Sequence, residues 1–327
     1  MKLSVLLPTK WLVRPVSVHD FGHAAGNANN APLVLITGAS TGGLGAESAF
    51  SLAKAHPKHL ILAGRSPDRT RPVIDGIRER HPEVKVTFLP LDLTSQKSVR
   101  RAAEEIKHNM NGDLIDVLIL NAAIMASPYG HTADGIELQF GTNYIGHFLF
   151  ANLLLKENLV KSRIVVVSSS ASVRNAENMW RHLDDLSYDN GKSYAPMAAY
   201  SLSKSASVLY ARGLAERLKD RQISVYSLNP GSIKTNLQVY LTDEMRNATL
   251  EAARKDNPNF TVPVPKSLQQ GCATQLRAAL DPSLVSHSGA YLDDCQVTVY
   301  PEHVEAYPYT DKLWAKSEEL VGERFDF

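Results

Sequence analysis

The chain has 327 residues, 44% of them hydrophobic and 21% charged, and a net charge of +1. That is enough for one large α/β domain, and there is none of the basic excess that nucleic acid or an anionic membrane selects. Two cysteines without a C-x-x-C, Cys272 and Cys295, exclude a disulfide framework and a thiolate zinc site and point to a reducing, cytoplasmic setting.

In chain order, MKLSVLLPTKWLV is interrupted by Pro8, Lys10 and Arg14 and does not read as a signal peptide. No stretch reaches the roughly 20 apolar residues of a membrane span. Residues 1–32, with GNANNAP, read as a flexible extension. From Leu33, strand-like and helix-like segments alternate. Leu33–Thr37 is a strand, followed by a helix to about Ala55, the strand His59–Ala63 and the helix Arg69–His81. Val84–Leu89 leads into LDLTS, where Thr94 or Ser95 caps a helix through Lys107. Then come the buried strand Ile115–Leu120, a long helix Asp134–Asn158, and the strand Ile164–Val167. A helix Ala198–Leu218, the strand Ser224–Leu228 and a last strand near Ala290–Leu292 complete the pattern. This alternation predicts, over 33–327, a single doubly wound Rossmann-type α/β domain with a central parallel sheet and helices on both faces. Its ligand crevice lies beyond the carboxyl ends of the strands. Residues 236–265 are expected to cover the substrate.

The first strand runs into TGASTGGLG. A strand, a glycine turn and a helix start form an anion site, because first-turn amides are unpaired and the helix dipole favours negative charge. A dinucleotide's pyrophosphate suits it, with Gly38, Ser40, Gly43, Leu44 and Gly45 as the candidate contacts. The second strand ends ILAGRS, without the carboxylate that holds an NAD ribose. Arg65 there suits a 2′-phosphate through forked, charge-assisted hydrogen bonds, so NADP(H) is the expected cofactor.

In AAYSLSKSA, Tyr200 and Lys204 stand four apart on one helical face. A phenol ionises near pH 10, and a neighbouring ammonium brings it closer to a working range. RIVVVSSSAS ends a buried strand in three serines, whose hydroxyls can polarise a carbonyl. Asn143 is an amide in the apolar FGTNYIGHF and needs a partner, either in a catalytic relay or in neighbouring backbone. In LNPGSIKT, Thr235 either caps the next helix or touches the cofactor.

Together TGASTGGLG, LDLT, NAA, Asn143, the triple serine, Y-x-x-x-K and NPGSIKT resemble, in order and spacing over roughly 33–240, the short-chain dehydrogenase/reductase family. HTADGIELQFGTNYIGHFLF and the tail segments KSLQQGCATQ, SGAYLDDC and LWAKSEEL are similar to its retinol-dehydrogenase and protochlorophyllide-reductase branch. The resemblance implies that Tyr200 passes the proton, and that Lys204 lowers its pKa and binds the nicotinamide ribose. Ser169, rather than Ser168 or Ser170, orients the carbonyl, and Asn143 holds a relay water. It also implies Asp92 beside the adenine, Asn121 beside the adenosine ribose, and Ile233 and Thr235 beside the nicotinamide. The glycine loop carries one residue more than the family's T-G-x-x-x-G-x-G; Gly43, Leu44 and Gly45 fall on its closing G-x-G, and Ala39–Gly42 absorb the extra residue. The long Ser169–Tyr200 separation implies an inserted loop near 175–196. A homo-oligomer built through the two long helices is the family's habit.

The reading that results is an NADP(H)-dependent oxidoreductase interconverting the carbonyl and alcohol of a medium-sized, partly apolar small molecule. The alternatives are a light-dependent C=C reductase of the protochlorophyllide type and a non-catalytic NADP(H)-binding sensor or scaffold. A sensor would be betrayed by loss of the tyrosine or lysine, and both are present.

Overall fold

LVLIT, five consecutive buried residues (Leu33–Thr37), forms strand β1 at the middle of the sheet. Such a run suits a strand covered on both faces, as parallel sheets require. The computed structural model describes residues 31–173, 183–256, 258–300 and 309–327. Residues 1–30, expected as a flexible extension, and the 174–182 part of the inserted loop lie outside the described residues.

The other strands are β2 (His59–Gly64), β3 (Lys85–Pro90), β4 (Ile115–Leu120), β5 (Val160–Val167), β6 (Ser224–Asn229), β7 (Tyr291–Asp293) and β8 (Gln296–Thr298). Their order is β3-β2-β1-β4-β5-β6-β7-β8. All neighbours are parallel except β7 and β8. The chain leaves β1 in one direction for β2 and β3 and returns to β4 on the other side, so the switch point lies between β1 and β4.

One face of the sheet packs on helices α1 (Leu44–Ala53), α2 (Pro67–Arg80) and α7 (Leu268–Leu280). The other packs on α3 (Gln96–Asn109), on α4, on α5 (Pro196–Arg217) and on α8 (Tyr309–Val321). Helix α4 runs through Leu138–Phe140, a π turn over Gly141–Ile145, and Gly146–Lys156. Helix α6 (Asp243–Asp256) lies in the segment after β6. A ring cluster closes the second face: Trp314 stacks on Tyr210 at 5.9 Å and meets Phe148 edge-on at 5.1 Å. Ser317 and Tyr144 share a hydrogen bond of 2.6 Å. Helix α8 therefore covers part of the surface of α4 and α5. Among the described residues no helix is long and apolar enough to cross a membrane.

The sequence reading places no helix after residue 240, where α6, α7 and α8 lie, and three further elements differ from it. The long helix starts at Leu138, not Asp134. Gly135 takes φ +78°, outside helical space, and the Glu137 carboxylate accepts from the amides of Gln139 (2.9 Å) and Phe140 (2.6 Å) as the cap. Strand β5 begins at Val160, four residues early. The buried Arg163 within it donates to the carbonyls of Ala278 (3.0 Å) and Asp281 (2.8 Å), satisfying the end of α7. Strand β8 is three exposed residues without apolar alternation, and sequence reading passes over it. Of the two capping candidates before α3, Ser95 is the cap, accepting from Ser98 N at 3.3 Å. Thr94 instead donates to Asp92.

Candidate active site

The glycine loop is where β1, β4 and α1 come closest. A Cβ on Gly38 would lie 2.7 Å from the Ala122 Cα, and one on Gly45 would lie 2.6 Å from the Gly38 carbonyl oxygen. Gly38 also takes φ +75° and Gly42 φ +76°, conformations open to glycine. Gly43 is the N-cap of α1, and its amide closes a turn onto the Ser40 carbonyl at 3.0 Å. The additional length bulges away from the strand. There the amide and hydroxyl of Thr41 both donate to the Arg69 carbonyl (2.9 and 3.0 Å), and the Asn236 amide donates to the Thr41 carbonyl at 3.0 Å. The start of α1, with first-turn amides that have no acceptor within the helix, thus opens at the carboxyl edge of the sheet beside the switch point.

The other expected cofactor residues line the same edge. Asn121 donates to the carbonyls of Thr37 (2.9 Å) and Gly38 (3.3 Å), tying β4 to the loop. Asp92, after β3, accepts from the amide (3.0 Å) and hydroxyl (2.7 Å) of Thr94. Arg65 follows β2 directly and is exposed. Ile233 is buried against Leu44 and the start of α7. Thr235 caps the turn Asn236–Gln238, accepting from Leu237 N at 3.2 Å.

Tyr200 lies in the first part of α5 and is 3% exposed. The Ser169 side chain is close enough to the phenol to lower its pKa, and its Oγ accepts from Ala171 N at 3.2 Å. Of the neighbouring serines, the Ser168 hydroxyl donates to the Lys204 carbonyl at 2.7 Å, and Ser170 opens a 3-10 turn with its backbone amide on Asn229. Lys204, one turn on from Tyr200, donates to the Val167 carbonyl at 2.9 Å, and its nitrogen stands 5.9 Å from the Tyr200 ring centre.

Burial controls the electrostatics of this pair, pushing Tyr200 up to about 12 and Lys204 down to about 7. This differs from the expectation that Lys204 depresses the phenol. The Ser169 side chain pulls Tyr200 down, but desolvation outweighs it. The phenol is therefore held protonated at neutral pH, as a proton donor must be.

Asn143 sits in the π turn and is 1% exposed. Its side chain accepts from Ile124 N (2.8 Å) and donates to Ile124 O (2.9 Å) and to the Ser203 hydroxyl (3.0 Å). Ser203 in turn donates to the Tyr200 carbonyl at 2.7 Å. The structural partner among the two alternatives is thus in place, and it links the amide to the helix that carries Tyr200.

Over the phenol lies an apolar cluster: Met125, Ala126 and Ala171, with Met197, Leu237, Leu241 and Met245 packed against them. Three residues that sequence reading missed hold this site together. Asn229 accepts from the amides of Ser170 (3.0 Å) and Gly231 (3.1 Å) and donates to Asp293 at 3.0 Å, fixing the serine turn between β5 and β7. Its signal was an amide directly before Pro-Gly at a strand end. Ser203 and His147 are buried polar residues in helices, and their partners Asn143 and Thr37 are too distant in sequence to be inferred from local pattern.

Comparison with known proteins agrees with this geometry. The family model for short chain dehydrogenase matches residues 32–180 and 187–246. The chain is 36% identical over 296 residues to the WW domain-containing oxidoreductase of Drosophila melanogaster, covering 88% of this chain and 68% of that protein. It is 34% identical over 293 residues to mouse (Mus musculus) retinol dehydrogenase 13, covering 88% and 83%. A crystal structure of an uncharacterized protein from Mycobacterium paratuberculosis aligns with a TM-score of 0.66 and 29% identity, over 92% of this chain and 99% of that one. The chain therefore belongs to the short-chain dehydrogenase family, in its retinol-dehydrogenase-like branch, and is an oxidoreductase that uses a nicotinamide cofactor.

Proposed function

We propose that the protein uses NADP(H) and reduces the carbonyl of a medium-sized, partly apolar molecule, with Tyr200, Lys204, Ser169 and Asn143 as its working residues. The observation that carries this reading is the buried, protonated Tyr200 phenol, beside Ser169 and packed in a methionine-rich apolar cluster. The nicotinamide supplies the hydride when bound. The Ser169 hydroxyl orients the substrate oxygen and stabilises the charge that develops on it, and Tyr200 delivers its phenolic proton to that oxygen. Lys204 stands one turn below with its ammonium toward the strand end, in place to return a proton to the phenolate and to hold the ribose. Asn143 fixes the position of α5 through Ser203 and lies where a relay water would be held.

The cofactor's pyrophosphate belongs at the start of α1, with Gly38, Ser40, Gly43, Leu44 and Gly45 around it. Its adenosine half lies by Asp92 and Asn121, and its nicotinamide by Ile233 and Thr235. Arg65, exposed at the end of β2 where the strand ends without a carboxylate, takes the 2′-phosphate. Residues 236–265 act as the substrate cover, because Leu237, Leu241 and Met245 already pack over the phenol. Methionines with three rotatable bonds adapt to irregular apolar ligands, which favours a flexible or bulky hydrophobic aldehyde or ketone over a small polar one. Both cysteines are free thiols, as a reducing cytoplasmic compartment keeps them.

Nicotinamide fluorescence titrations with NADPH and NADH test the cofactor choice on the parent chain and on Arg65→Ala. The parent should prefer NADPH, and the variant should lose about tenfold or more for NADPH alone, as the loss of charge-assisted hydrogen bonds costs. Equal affinity for both nucleotides, unchanged by the substitution, removes Arg65 and NADP from the account.

A further inference from the structure

Among the buried ionisable groups that the reaction leaves unused, one stands between the two halves of the site. His147 is 4% exposed and lies just beyond the π turn of α4. Its Nδ1 is 3.1 Å from the Asn143 carbonyl oxygen, and its Nε2 is 2.9 Å from Thr37 Oγ1. A carbonyl can only accept, so Nδ1 carries the hydrogen and Nε2 accepts from the Thr37 hydroxyl. The bonds around Thr37 agree. Its Oγ1 already accepts from the amides of Asn121 (2.9 Å) and Ala122 (3.0 Å), and the competing acceptor for its hydrogen, Ile119 O, is at 3.4 Å.

The two ends of this bridge lie in different halves of the site. Thr37 ends β1 where the glycine loop begins, and its carbonyl and that of Gly38 accept from the Asn121 amide. The Asn143 end continues through Ser203 to the Tyr200 carbonyl. Along the sequence, 110 positions separate Thr37 from His147. Thr37 of β1, Asn143 of α4 and Lys204 of α5 are the groups that act on the ring. Burial is the largest influence, and with the nearby Lys204 ammonium it keeps the imidazole neutral, down to about 3.

We propose that His147 is a positioning residue whose neutral Nδ1–H ring locks the start of the glycine loop to the π turn carrying Asn143, so that dinucleotide binding and the Asn143–Ser203–Tyr200 chain share one rigid frame. The ring's tautomer stands on hydrogen-bond geometry alone, while its effect on the dinucleotide rests on the function proposed above.

Two measurements test it. Nitrogen-15 NMR of the imidazoles in the full chain should show one ring neutral and protonated at Nδ1 throughout the range from about pH 5 to 8 in which free histidine titrates. An Nε2–H ring at position 147, or a titration there within that range, overturns the tautomer and with it the proposal. NADPH titrations then compare Thr37→Val, His147→Phe and the double variant, with Thr37→Ser as the conservative control. His147→Phe should raise Kd by about five- to tenfold or more, and Thr37→Val by at least as much, because it also takes the acceptor from the Asn121 and Ala122 amides. The double variant should be no weaker than the worse single one, because both remove the same bridge, and Thr37→Ser should bind like the parent. Losses that simply add, or variants that bind as the parent does, refute the bridge. A parent chain that binds no NADPH contradicts the proposed function instead, and the NMR result still decides the tautomer. If His147→Phe does not fold, the Val and Ser pair at position 37 carries the binding comparison.

Discussion

The floor and the roof of the site are built differently. In the floor, Asn143, Ser168, Ser203, Lys204 and His147 are all buried and each is hydrogen-bonded across at least two elements. In the roof, Leu237, Leu241 and Met245 touch the Tyr200 cluster, while Val239 is 76% exposed, Val264 86%, Val262 53% and Tyr240 48%. A floor held by directional bonds fixes the reacting geometry within tenths of an ångström. A roof of flexible apolar side chains can change shape with the substrate. The same active site thus pairs chemistry that tolerates little change with a binding surface that tolerates much, as differential binding in the transition state requires.

Substitutions in the two regions should therefore differ in kind. Tyr200→Phe removes the proton donor and leaves the ring, so turnover should fall by about 10²- to 10⁴-fold while NADPH affinity and melting temperature stay near the parent values. Ser169→Ala keeps the phenol but loses the donor to the substrate oxygen, and a drop of about 10²- to 10³-fold in kcat is expected. Trp314→Ala, behind the floor, strips a ring stacked on Tyr210 and covered by Arg217 at 4.0 Å. Urea unfolding should show a loss of about 3–5 kcal/mol. Roof changes are milder: Met245→Ala should shift KM for an apolar aldehyde several-fold, with stability altered by no more than about 0.5 kcal/mol. A roof variant that lost kcat with KM unchanged would dissolve the distinction.

A further effect is one of pH. His147 is held below its free value, so the unfolded chain binds a proton that the folded chain refuses as pH falls below about 6.5. Its contribution to stability is full above that pH and is lost progressively toward about 3. His59, lowered by burial to about 4, acts in the same direction. Melting curves of the parent should therefore weaken with acid more steeply than those of His147→Asn. Parallel slopes would mean that the imidazole is not buried in its neutral form.

What was legible in the sequence follows the range over which its signals act. Strands β1 to β7, the glycine loop and the Tyr200–Lys204 pair are local patterns: apolar runs, a turn residue, a helical spacing of four. The choice of Ser169 was open between three adjacent serines, of which Ser168 has its hydroxyl engaged by α5 while Ser170 shows only its backbone amide on Asn229. The π turn left no mark, since one additional residue per turn within GTNYIGHF keeps the segment apolar. The start of α4 was placed early, at Asp134, while the carboxylate that accepts the free amides belongs to Glu137. The His147 bridge and the β5 extension around Arg163 depend on partners more than 100 residues away in sequence, which no local periodicity reports.

The central claim is that the buried phenol protonates a carbonyl beneath an apolar roof. Its most direct test is NADPH oxidation with a series of aliphatic and aromatic aldehydes of increasing size, comparing the parent chain with Tyr200→Phe. Turnover that rises with apolar bulk in the parent and collapses in the variant, with NADPH binding intact in both, is the predicted result. Equal turnover in the two proteins, or firm NADPH binding with no turnover of any aldehyde by the parent, would contradict it.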